Sequence, residues 1–248
     1  MKKLNDQLLD LYLSKWSQLR GVLLSYNDKD EEGNENDDSE DDATHPLLIK
    51  VNGNFPFAKS RIMFFGKETN TWYKEFVENS SIDNILKGYD EFYLKKGFET
   101  YNSPFWHYFK ALIDRFEDVE FFWNNLLKIG KNSSGTPQRG LINETEKHFN
   151  VIMDEICILK PSLLLFFTGP LYDQYIKRFI GEFKIKEVVG FCKNEFCEII
   201  FVDNPDLKAF RTYHPQYLNM IKRKRERENK QDITTQIYSV IEDQLYNE

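Results

Sequence analysis

Residues 61–72 read RIMFFGKETNTW, an apolar run that closes on Gly66 and hands over to polar, helix-capping residues. A strand buried on both faces has this form where it reaches the carboxyl edge of a parallel sheet. Residues 161–169, PSLLLFFTG, show a second such strand. With helical stretches between them, these strands point to an α/β fold, because parallel neighbours need a long crossover, usually a helix. Glycine at position 66 permits a sharp turn or a close approach of ligand to backbone, since no Cβ stands there. Lys67, Glu68, Thr69 and Asn70 then fall in the crevice outside the strand ends, where open α/β sheets bind ligands. The local alternative is a plain strand-to-helix turn capped by Thr or Asn.

Taken in order, Leu4, Leu8, Leu11, Tyr12, Trp16, Leu19, Val22 and Leu23 recur at helical spacing. They predict a helix within residues 1–26 that lays one apolar stripe on the core. Residues 28–42 hold ten Asp or Glu and one Lys, a balance of −9 against −7 for the whole chain, which leaves +2 elsewhere. Such a run repels itself and buries nothing, so residues 27–45 read as a solvated, mobile insert. It is either a spacer or a polyanion mimic that competes for a basic groove. Residues 46–248 then form the α/β domain, and His45 reads as a surface residue beside Pro46.

Further on, Ser80 or Ser81 caps a helix from Ile82 to about Lys96, with Gly97 beyond it. Pro104 opens another, with Phe105, Phe109, Leu112, Ile113 and Phe116 inward. A strand over residues 121–129, FFWNNLLKI, carries Asn124 and Asn125, a type depleted in strands. The pair either ends the strand or presents an amide to a ligand. A helix from Asn143 or Thr145 runs to Leu159, and a further helix spans 172–180. Two strands joined near Lys193–Glu195 fill 184–202, a short one covers 208–213, and His214-Pro215 follows. Residues 221–230, IKRKRERENK, have six Lys or Arg against two Glu. They are a solvated helix face or a set of phosphate contacts.

A chain of 248 residues with 21 Phe can bury one substantial core. No stretch approaches the roughly 18 apolar residues of a membrane span. Asn and Asp interrupt the N-terminal MKKLNDQLLDLYL, a poor secretory signal. Cys157, Cys192 and Cys197 are too few and too spread for a disulfide framework or a zinc knuckle. The expectation is an intracellular, cytoplasmic protein outside the membrane, with free thiols.

Four pieces fall at strand ends in a fixed order: G-K-E-T-N, N-N-L-L-K, K-P-S-L-L-L-F-F-T-G and H-P-Q-Y-L. That order resembles the uracil-DNA glycosylase superfamily over about residues 60–220. The resemblance implies a three-layer sandwich with a mostly parallel four-stranded central sheet, with the N-terminal helix and acidic insert as additions. By position it implies Glu68 as the carboxylate handling the attacking water and His214 as the donor to the departing base. Asn125 would read the base edge, Phe105 would stack on the flipped base, and Gly66, Lys67 and Asn70 would line its pocket. Leu218, or Tyr217, would be the wedge, and Lys222, Arg223, Lys224 and Arg225 would contact phosphates. The implied partner is single- or double-stranded DNA, with no metal or other cofactor.

Those residue types suit the chemistry. Cutting an N-glycosidic bond develops positive charge on the sugar and negative charge on the base. A carboxylate near the sugar steadies the cation and orients or deprotonates water. A neutral imidazole N–H aimed at a base oxygen steadies the anion, as an oxyanion hole does. An Asn amide offers a donor and an acceptor together, matching a pyrimidine edge. The sequence departs from the family at Lys67, where Gln, Glu, Met or Ile is usual, and at Thr69 and Asn70, in place of Pro and of Tyr or Gly. A cation at 67 would help hold Glu68 ionised. The rival expectations are a non-catalytic nucleic-acid-binding or DNA-mimicking protein on the same fold, and a hydrolase of free nucleosides or nucleotides.

Overall fold

The computed structural model describes residues 2–28, 40–52, 58–69, 71–116 and 118–246. The core of the expected acidic insert (29–39) and Asn70 therefore lie outside the described residues. Helix α1 (Lys2–Asn27) buries Leu8, Tyr12, Leu19 and Leu23. Both ends of the acidic segment are anchored. The Asn27 carboxamide accepts from the Ala43 N–H at 2.8 Å, and Asp41 accepts from Lys131 and Gln138, each at 2.9 Å. The expected insert boundary is corrected here, because Ala43, Thr44 and His45 are buried. His45 is no surface residue. It is 7% exposed, with Nδ1 3.0 Å from the Lys74 carbonyl and Nε2 2.7 Å from Ser80 Oγ.

Strand β1 (Ser60–Glu68) runs straight through Gly66 instead of turning there. Helix α2 (Ile82–Tyr89) is shorter than the spacing predicts. It widens into a π-helical turn over Asp90–Leu94, and a 3-10 turn follows at Gly97–Thr100. Helix α3 (Pro104–Arg115) begins where Pro104 predicts, capped by the Ser103 hydroxyl. Strand β2 (Val119–Leu127) starts two residues before the expected strand, so Asn124 and Asn125 sit near its carboxyl end. The single helix expected up to Leu159 is two, α4 (Arg139–Phe149) and α5 (Ile152–Leu159). Then come β3 (Leu163–Phe167), α6 (Asp173–Phe179), β4 (Phe183–Glu187), β5 (Phe196–Phe201) and β6 (Ala209–Thr212). The chain closes with α7 (Pro215–Arg227) and α8 (Ile233–Tyr246).

The sheet has six strands in the order β2-β1-β3-β6-β5-β4 and is mixed, which corrects the expected four. Neighbours from β2 to β6 are parallel, while β5 and β4 add on antiparallel. Residues 188–195 between β4 and β5 are too few for the crossover helix that a parallel pair needs. Helices cover both faces. Phe64 packs on Phe105 and Phe109 of α3, with ring centroids 5.2 and 4.8 Å apart. On the opposite face Asn124 meets α5 and α1 through a buried polar cluster. There the Glu155 carboxylate accepts from Tyr12 (2.7 Å), Lys128 (2.7 Å) and the Asn124 amide (2.9 Å). The Asn124 oxygen takes the Lys128 ammonium at 2.8 Å, and the Tyr12 oxygen takes the Ile49 N–H at 2.9 Å. Every member has a partner, the condition under which a buried charge is tolerated. Lys128 is held below its usual range by burial, against the pull of Glu155. No helix among the described residues is long and apolar enough to cross a membrane.

Candidate active site

Strand alternation sorts the two asparagines. Side chains on a strand point to opposite faces in turn, so Asn124 enters the ionic cluster and Asn125 faces α3. Gly66 pairs with Asn125 across β1 and β2. A Cβ on Gly66 would stand 2.3 Å from Asn125 Oδ1 and 3.0 Å from the Phe105 ring. The glycine is therefore required by the inward approach of these two side chains and not by a turn. Among the described residues the Asn125 carboxamide has no hydrogen-bond partner, although the residue is 3% exposed.

Phe105 stacks with His214, centroids 6.1 Å apart and planes 21° from parallel. His214 caps α7: its Nδ1 accepts the Gln216 N–H at 3.3 Å. An Nδ1 that accepts places the neutral ring's proton on Nε2. Burial pushes the imidazole down to about 4, and the charge of Lys67 pushes the same way. At neutral pH His214 is thus an uncharged N–H donor. Its position is fixed from behind, where β6 ends with the Gly169 N–H on the Thr212 carbonyl at 2.9 Å and Pro215 opens the helix.

Glu68 ends β1. Burial holds its carboxyl above the usual range, opposed by a hydrogen bond from the Tyr172 hydroxyl and by the charge of Lys67. Tyr172 in turn lies 2.7 Å from Thr136 Oγ1, and the Lys67 ammonium sits 5.1 Å from the Tyr172 ring centre. Lys67 acts on both Glu68 and His214, joining the two halves of the site electrostatically.

All six groups, Gly66, Lys67, Glu68, Phe105, Asn125 and His214, line one cleft of about 770 Å³. No family model matches the sequence, and no curated protein matches it. Among the described residues no three His, Cys, Asp or Glu side chains gather as metal ligands would.

Other expected residues are not brought there. Leu218 is 0% exposed in the core beneath α7, so it cannot enter a DNA stack, whereas neighbouring Tyr217 is 46% exposed. Arg225 bonds Gln236 at 2.6 Å and Glu195 at 3.2 Å, and Lys222 pairs with Asp232 at 2.8 Å. These two cations are committed to holding α7 in place, while Arg223 and Lys224 are exposed. Tyr172, the partner of Glu68, and an aromatic wall join the site, and neither is singled out by the sequence motifs. Trp72, Phe92, Trp106 and Trp123 line the cleft, with Tyr73 and Tyr101 exposed at its rim. Trp72 already stands at the end of the opening motif. Three of the chain's four tryptophans lie in this wall, a concentration that composition alone does not reveal.

Proposed function

We propose that this chain is a divergent DNA glycosylase of the uracil-DNA glycosylase type, hydrolysing the N-glycosidic bond of a base flipped out of the stack. The observation that carries it is the convergence of Glu68, Asn125, Phe105 and an Nε2-protonated, neutral His214 on one cleft. The fold reading that goes with it takes β2, β1, β3 and β6 as the parallel core of a glycosylase-like sandwich, with β5 and β4 as an extension.

In this reading the base stacks on Phe105 and offers its edge to the free Asn125 amide. Water, oriented by the Glu68 carboxylate, attacks the sugar carbon as the bond to the base nitrogen breaks. The bond's electron pair leaves with the base, whose oxygen receives the His214 Nε2–H bond. The water proton passes to Glu68. Such a donor in a closed site is worth a few kcal/mol, and a positioned carboxylate ~10²–10⁴-fold in rate. Tyr172 and Lys67 keep enough of Glu68 ionised to act although it is half buried.

The test is release of free base from uracil-containing single- and double-stranded oligonucleotides, with loss in Glu68→Gln and His214→Ala. Salt-sensitive DNA binding without release would point instead to a binding module. Turnover of free nucleosides but not DNA would point to a nucleoside hydrolase.

A further inference from the structure

The cleft extends well past the polar end just described. Small-ligand pockets begin at about 300 Å³, and one unsubstituted pyrimidine fills only part of the 770 Å³ here. The rest is an arm walled by rings that meet largely edge to face. Trp72 and Trp123 lie 5.2 Å apart, Phe92 and Trp106 5.1 Å, and Phe92 and Tyr101 5.3 Å.

Two backbone features serve this wall. Thr71, Tyr73 and Lys74 adopt φ of 49°, 56° and 66°, a left-handed conformation that side chains disfavour. That segment delivers Trp72 and Tyr73 to the cleft. Opposite it, a Cβ on Gly88 would stand 2.3 Å from the Tyr73 ring. Local strain and a glycine together make room for aromatic surface that a single-base site does not use.

Charge decides what the arm holds. Among the described lining residues Lys67 and Glu68 belong to the polar end, and Glu91 is the one charged residue along the arm. Its partner Lys87, 3.8 Å away, does not line the cleft. A second nucleotide stacked there would bring its phosphate beside the Glu91 carboxylate. An uncharged ring gains the stacking without that repulsion. We infer that the arm receives an uncharged apolar or aromatic substituent carried by the flipped base, so that an enlarged base is preferred to plain uracil. This specificity rests on the glycosylase reading of the polar end.

The experiment compares oligonucleotides containing uracil with ones containing uracil benzylated at C5, outside the hydrogen-bonding edge. The expected result is base release from both, with a half-saturating concentration about tenfold lower for the benzylated substrate. Trp72→Ala and Phe92→Ala should bring that ratio towards one, and Trp72→Phe should restore most of it. Release of uracil with no advantage for the benzylated base would overturn the inference and leave the glycosylase reading standing. Release of neither would sink the glycosylase reading. In that event calorimetric titration with free 5-benzyluracil and free uracil still tests the arm. Tighter binding of the benzylated base, lost in Trp72→Ala, supports the arm's role, and equal or absent binding overturns it.

Discussion

The Asn125 carboxamide oxygen sits 2.3 Å from where a Cβ on Gly66 would be, so the most conspicuous glycine of the sequence exists for its neighbour's side chain. Gly66→Ala must push aside both this amide and the Phe105 ring, the two side chains that close around the glycine at the wall of the cleft. Overpacking of this kind typically destabilises by about 1–3 kcal/mol. We expect a modest fall in the thermal midpoint and a disproportionate loss of base release. Differential scanning and an oligonucleotide assay read the two separately.

The pH profile should carry the signature of Lys67. In the proposed reaction Glu68 acts ionised, and its carboxyl lies above the ordinary value of 4.5. Base release should therefore fall first through Glu68 as the pH drops, and then through His214 near 4. Lys67→Met or Tyr172→Phe removes an influence that lowers Glu68, so the acid limb of the rate profile should move to higher pH. Protonation of His214 favours the unfolded chain, so stability should decline as the pH drops from 6.5 towards about 4.

Beneath the sheet, Glu155 takes hydrogen bonds from Tyr12, Lys128 and Asn124. Glu155→Gln leaves the buried Lys128 ammonium without its countercharge, a loss of about 3–5 kcal/mol. The double change Glu155→Leu with Lys128→Met should unfold at a higher denaturant concentration than Glu155→Gln. A double variant no more stable than the single would show that packing, and not charge, dominates there.

Strandedness should separate two adjacent residues on α7. Tyr217 is exposed and packs tilted against Tyr213, ring centroids 4.4 Å apart, whereas Leu218 is buried. Tyr217→Ala should slow release from duplex several-fold more than from single strands, because only the duplex needs a wedge. Leu218→Ala should destabilise by about 2–5 kcal/mol and show no such preference.

Salt titration divides the basic stretch in the same way. Arg223→Ala and Lys224→Ala should each lower the slope of log affinity against log salt by about 1. Arg225→Ala should instead lower the unfolding midpoint, since it abandons Glu195 and Gln236.

Strands β1 and β3 could be read from the sequence because burial on both faces leaves an unbroken apolar run. Pro104 likewise gave the start of α3 from a purely local preference. The division between α4 and α5 was hidden, since Phe149, Ile152, Met153 and Ile156 keep helical spacing across it and no proline or glycine marks the break. Asn125 stood out because an amide is rare in a strand. Its neighbour's partner, Glu155, looked like any acidic residue on a helix, and burial of a charge depends on what the rest of the chain brings to it. The side of α7 that faces the core, which decides between Leu218 and Tyr217, is also set by tertiary packing. So is the gathering of Trp72, Trp106 and Trp123, which come from three separate segments.

Asn124 and Asn125 are chemically identical and face opposite sides of β2. Sliding the strand by one residue would carry Asn124 to the cleft position and Trp123 into the ionic cluster, or Asn125 into the cluster and Leu126 to the cleft. Either slip keeps an amide in one of the two sites only. Trp123 discriminates further, for it stacks on Tyr89 with planes 10° apart and meets Trp106 at 5.0 Å. An indole turned to the other side would have to find room against Glu155 and Lys128, so this tryptophan favours the threading that brings Asn125 to the cleft.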